Sequence, residues 1–72
     1  MRRTRTTFRL PFRVRHGSTV FNEFGADVGQ VVEVAEEGQE DTAGNMTWEI
    51  TADVLDSALD GKLQCMEQLG PA

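Results

Sequence analysis

Apolar and polar residues alternate along much of the chain as far as Ile50. Phe8, Leu10, Phe12 and Val14 stand against Arg9, Pro11, Arg13 and Arg15. This period of two predicts a strand with an apolar face and an arginine face. Pro11 has no N–H to give a ladder and so predicts an edge strand. Arg3 and Arg5 continue the arginine parity, but residues 1–7 lack apolar partners and are expected as a basic N-terminal arm. His16-Gly17-Ser18 signals a turn, after which Thr19 to Phe21 returns as a second strand. Asn22 to Asp27, around Gly25, is the next turn. Val28 to Ala35 is a β-branched third strand in which Gly29 marks a weak start or a bulge. Both Val31 and Val32 are open as the inward residue.

Residues 36–45 (EEGQEDTAGN) are polar, acidic and glycine-containing, and predict an exposed, mobile loop. Met46, Trp48 and Ile50 then alternate with Thr47, Glu49 and Thr51 as one more strand. From there the pattern is read as a helix over about 52–69, with Thr51 as N-cap and Asp53 in the first turn. At ~100° per residue, Val54, Leu55, Ala58, Leu59, Leu63, Cys65, Met66 and Leu69 share one half of that helix. Asp53, Asp56, Asp60 and Glu67 share the other. Gly70-Pro71 is a stop signal. Gly61 would kink the helix or break it in two, and Lys62 falls within its apolar arc as a snorkelling stem or a pairing cation, unless a break at Gly61 rotates it away.

These elements predict an α+β fold: a small antiparallel sheet of three to four strands in a meander, with one C-terminal amphipathic helix packed on one face. The expected core is Phe8, Leu10, Phe12, Val14, Val20, Val32, Val34, Trp48 and Ile50 against the helix. The arm at 1–7 would precede a single domain at 8–72.

Length and charge sharpen this picture. At 72 residues the core is close to the smallest that folds alone, and association with a partner or another copy would add to its stability. Net charge is -5, yet six of the seven basic residues precede position 16, and all twelve acids follow position 22. A basic segment on an acidic body suits an oriented polar contact better than a uniform nucleic-acid coat. The single Cys65 excludes an internal disulfide and fits a reducing compartment. No secretory signal is recognisable in the arginine-rich start, and no apolar run is long enough to span a membrane. The expected location is cytoplasmic, or a particle assembled inside a cell.

Candidate chemistry is sparse. The window from Asp56 to Glu67 spaces Asp56, Asp60, Gly61 and Glu67 like a calcium loop, but Ala58 and Leu59 fill positions that such a loop keeps polar. A solvated acidic face explains these residues more simply. Ser18 lies near the only histidine, His16, without a positioned carboxylate, and Cys65 reads as a small core residue. One His and one Cys make no zinc site, and no phosphate-cradling glycine loop is present. No enzymatic activity, metal, cofactor or small-molecule substrate is expected.

Interaction surfaces remain. Arg2, Arg3, Arg5, Arg9, Arg13 and Arg15 are the candidate partner-binding set, against the plainer reading that they pair with acids on neighbouring strands such as Glu33. The leading expectation is a non-enzymatic interaction or assembly module that docks on a larger protein assembly or on copies of itself. A small component of a bacteriophage particle is a natural setting. A rival surface is acidic: Glu36, Glu37, Glu40, Asp41, Asp53, Asp56, Asp60 and Glu67 could imitate phosphates. The chain would then be a decoy inhibitor of a nucleic-acid-binding machine, as in counter-defence. A third expectation is nucleic-acid binding through the basic arm.

Overall fold

Met46–Leu55 forms one unbroken central strand, with Trp48, Ile50, Ala52 and Val54 on one face and Thr47, Glu49, Thr51 and Asp53 on the other. In the computed structural model, which describes residues 2–66, this strand is the fifth of the chain. The strands are β1 (Arg3–Leu10), β2 (Thr19–Phe21), β3 (Asp27–Val34), β4 (Gln39–Glu40) and β5 (Met46–Leu55). All pairings are antiparallel, in the order β1-β5-β3-β2, and β4 extends the β3 side of β5.

The fold is therefore mostly β, and both the expected α+β class and the expected meander of three to four strands are corrected: five strands pair in the order β1-β5-β3-β2, with β4 on β5. No helix packs on the sheet among the described residues. Ala52 to Leu55 completes β5, and Asp56–Ala58 makes a single 3-10 turn. The expected helix beyond Met66, with Glu67, Leu69 and the Gly70-Pro71 stop, lies outside the described residues. The physical reason is visible in β5. A helix beginning at Ala52 would strip β1 of its pairing at Arg3 to Thr6 and β3 of its pairing at Gly29 to Val31. It would also expose Ala52 and Val54, which together with Ile50 are completely buried. Burying a valine or isoleucine side chain contributes roughly 1.5–3 kcal/mol, more than intrinsic helix propensity offers over so few residues.

Three further expectations change. Arg3 to Thr7 belongs to β1 and is no separate arm. Residues 36–45 contain β4 and close on β5 through a tight turn in which Asp41 Oδ1 accepts the N–H groups of Ala43 and Asn45. Asn22 Oδ1 does the same for Phe24 and Ala26 in the β2–β3 turn. The two turns share the pattern Asn/Asp-x-x-Gly, with Gly25 and Gly44 both at φ 84. Lys62 is exposed rather than set in an apolar arc.

β3 carries two irregularities, and they decide its inward residues. Pairing shifts by one residue between Val20 and Phe21 of β2, and again between Val31 and Glu33 of β3. Each shift inserts one residue, so Val28, Val31 and Val34 turn toward the core at a spacing of three rather than two. Val31, not Val32, is fully buried.

β1 and β2 lie at opposite ends of the sheet, so residues 11–18 must cross its apolar face. That crossing buries Val14 and packs Phe12 on the core. Its end is fastened where Gly17 N–H donates to Val31 O and Val31 N–H donates to Ser18 O, both at 2.8 Å. After the 3-10 turn the chain returns across the same face with Ala58, Leu63 and Cys65 packed inward. Gln64 then bridges to β2, donating to Phe21 O and accepting from Phe21 N–H. Irregular chain, rather than a helix, forms the second layer. The buried core is Leu10, Val14, Val20, Val28, Val31, Ile50, Ala52, Val54 and Cys65.

Candidate docking surface

Alternation places Thr4, Thr6, Phe8 and Leu10 of β1 toward the core side, and Arg3, Arg5, Thr7 and Arg9 on the opposite, solvent side. There they meet the polar face of β5. Arg5 is opposite Asp53, with Nε 3.2 Å from Oδ1, and Arg9 is opposite Glu49, with Nη1 3.9 Å from Oε2. The plainer expectation of arginine–acid pairing therefore holds for these two arginines, with acids of β5 as partners; Glu33 instead lies opposite Thr51.

Arg9 is held most firmly. Its Nε donates to Thr47 Oγ1 at 2.8 Å and its Nη2 donates to Gln39 Oε1 at 3.3 Å, so one guanidinium spans β1, β5 and β4. Both arginines remain accessible, with side chains 65% and 40% exposed. Such pairs contribute only about 0–1 kcal/mol each, so their effect is to orient the guanidinium groups more than to hold the sheet.

The remaining arginines separate. Arg2 and Arg3 are exposed at the start of the strand and make no ion pair among the described residues. Arg13 and Arg15 sit on the crossing segment over the other face of the sheet, also exposed. The six sequence candidates thus form a stripe of Arg3, Arg5 and Arg9, with Arg2 beside it, and a separate pair. Thr7 within the stripe, and Thr47 and Gln39 behind Arg9, were not singled out by sequence reasoning. The signal was present for Thr7, which shares the parity of its arginine neighbours.

The backbone of β1 adds to this surface. Asp56 N–H donates to Arg2 O, and the β1–β5 register runs without a shift, so even-numbered residues of β1 exchange hydrogen bonds with β5. The N–H and C=O groups of Arg3, Arg5, Thr7 and Arg9 consequently point away from β5. β1 ends the strand order, and no described segment pairs with this outer edge.

The acidic candidates are dispersed. Glu36, Glu37, Glu40 and Asp41 are exposed around β4 and its turn, whereas Asp53 is engaged by Arg5 on the polar face. Asp56 accepts a hydrogen bond from the Thr4 hydroxyl, and Asp60 is exposed in the turn after the 3-10 segment. The single helical stripe that would have aligned Asp53, Asp56, Asp60 and Glu67 is absent, and Glu67 lies outside the described residues. No three His, Cys, Asp or Glu side chains converge as a metal set among the described residues. Ser18 Oγ accepts from Arg15 N–H, and the neighbouring His16 is exposed. Burial raises the Cys65 thiol above its usual range. A groove of about 360 Å³ lies beside the β2–β3 turn, lined by Phe21, Gly25, Gln64, Cys65 and Met66. Phe24 on that turn is 87% exposed.

Comparison with protein-family models, with curated proteins and with solved structures finds no match.

Proposed function

We propose that this chain is a protein-docking module that binds an acidic partner through the arginine face of β1. The observation that carries this reading is the stripe of Arg3, Arg5 and Arg9 on the outermost strand of the sheet, accessible and partly pre-oriented by β5. Guanidinium groups held in one row recognise carboxylates by charge-assisted hydrogen bonds and lose little side-chain freedom in doing so.

A nucleic-acid role is less well supported. Phe8 turns to the core side of β1 and is unavailable for base stacking, and Asp53 and Glu49 interleave with the arginines on the polar face. The acidic-decoy role rests on Glu36, Glu37, Glu40 and Asp41 alone once the helical stripe is removed.

Affinity capture from the native source separates these readings. The triple change Arg3→Ala, Arg5→Ala, Arg9→Ala is expected to release an acidic protein that the wild type retains. Neutralising Glu36, Glu37, Glu40 and Asp41 to their amides should leave it bound. Retention of a basic nucleic-acid enzyme that is lost only with those acids would establish the decoy role instead. A labelled single strand titrated at two salt concentrations tests the third role, since phosphate contacts give a steep loss of affinity with salt.

A further inference from the structure

The outer edge of β1 presents more than charge. From Arg3 to Leu10 it is a strand without proline and without a shift in its pairing, and Pro11 follows immediately. Its outward N–H and C=O groups belong to the same residues, Arg3, Arg5, Thr7 and Arg9, whose side chains line the solvent face. A chain laid antiparallel along this edge would complete the hydrogen-bond ladder. Residues exchanging hydrogen bonds with Arg9, Arg5 and Arg3 would lie on the same face as those arginines. Because the added strand runs antiparallel, they fall at positions i, i+4 and i+6 of the incoming segment.

β5 already displays this arrangement on the other side of β1. Glu49 and Asp53, four residues apart, stand opposite Arg9 and Arg5. An incoming strand with the same spacing would enclose the arginines between two rows of carboxylates. A second copy of β1 does not fit. Two-fold antiparallel pairing in a hydrogen-bonding register overlaps seven residues of β1 only with Arg3 against Arg9 or with Arg5 against Arg9, and like charges directly opposite are destabilising; every other such register overlaps five residues or fewer.

Resting on the docking reading above, we propose that the partner contributes an extended segment that joins the sheet as a new antiparallel strand on β1, with acids at i, i+4 and i+6. Residues i+1, i+3 and i+5 would stand beside Phe8, Thr6 and Thr4 on the core side, where β-branched or apolar side chains fit best, and i+2 would stand beside Thr7 on the arginine face.

The test uses the full chain and a labelled peptide, Glu-Val-Thr-Val-Glu-Val-Glu, followed by fluorescence anisotropy at low salt. One control has the same composition with its three acids contiguous. A second control is N-methylated at the first, third, fifth and seventh residues, whose N–H groups would enter the ladder. Thr7→Pro removes an N–H that faces away from β5 and leaves the β1–β5 bonds in place. Binding to the first peptide is expected to fall at least tenfold in either control and in Thr7→Pro. Far-UV circular dichroism checks that this variant is folded, and the N-methylated peptide decides the matter if it is not.

Equal binding of all three peptides, lost in the triple arginine variant, would overturn strand addition and leave charge docking standing. Binding that survives the triple arginine variant would overturn the docking reading itself. If no peptide binds, the arginines only protect a sheet edge from aggregation, and strand addition falls. Self-association in sedimentation velocity that Thr7→Pro abolishes would make a second copy the occupant and overturn the acidic segment.

Discussion

Gly29 is where a single methyl group decides stability. It lies between Val20 and Val54 in the ladder, and a Cβ added there would approach Asp53 O to 2.3 Å and Val54 Cα to 3.0 Å. Both obstacles are backbone atoms of the central strand, which cannot swing aside. Gly29→Ala is therefore expected to cost about 1–3 kcal/mol, read as a lower urea midpoint in Trp48 fluorescence. Gly61→Ala is the counterpart. Its Cβ would meet nothing nearer than 3.5 Å, and stability should stay level or rise by up to about 1 kcal/mol. Sequence reasoning marked Gly29 as a bulge or weak point, since glycine within a β-branched run is informative by itself. It could not show which backbone approaches. Val31 and Val32 illustrate the same limit: alternation gives an inward residue only until a bulge inverts it, and the bulge is set by pairing with β5.

At the scale of elements, two periodicities coincide over Ala52 to Leu59. Trp48, Ile50, Ala52 and Val54 continue an alternation that nothing interrupts at Thr51, while Val54, Leu55, Ala58 and Leu59 also satisfy a helical arc. Local pattern cannot choose between them. The choice is made by β1 and β3, which supply hydrogen-bonding partners on both sides of β5, and by the crossing and returning chain, which packs on its inward residues. Strand existence was legible for β2, β3 and the first half of β5, because each carries its own alternation or β-branched run. For β1 it was legible only over Phe8 to Leu10: the alternation from Pro11 to Arg15, expected as the same strand, belongs to the crossing segment. The arginine–acid register across β1 and β5 was not legible, because reading Asp53 as helical removed it from the sheet. Two measurements follow. Far-UV circular dichroism should show a single β-type minimum, with no paired helical minima. A double-mutant cycle on Arg5→Ala and Asp53→Ala should give a coupling of about 0.2–1 kcal/mol that shrinks with added salt, as expected for an exposed cross-strand pair. In a helix–arm arrangement these residues would not couple at all.

The whole molecule treats its two sheet edges differently. Among the described residues β1 is left open and carries arginines, while β2 is covered by the returning chain through the paired hydrogen bonds of Phe21 and Gln64, 2.7 and 2.9 Å long. That clasp also brings Cys65 into the core, where the thiol is 8% exposed and its ionisation is opposed by burial. The second layer of irregular chain, held by buried Val14 and Cys65 with Phe12, Ala58 and Leu63 and by few backbone hydrogen bonds, is expected to open more readily than the central strands. Gln64→Pro tests this division. It removes the N–H that donates to Phe21 O while leaving β1, β3 and β5 untouched. The expected outcome is a labelling rate of Cys65 by a thiol reagent that rises tenfold or more, with Trp48 emission and the far-UV spectrum unchanged. Alkaline pH should act in the same direction. The folded thiol titrates above its unfolded value, so its stabilising contribution is complete below the unfolded value and is lost as pH rises toward the folded one. Cys65→Ala should flatten that alkaline decline in urea midpoint. If Gln64→Pro instead unfolds the sheet together with the clasp, the returning chain is part of one cooperative unit with β5, and a partner could reach the β2 edge only through global unfolding, whereas the outer edge of β1 is unpaired among the described residues.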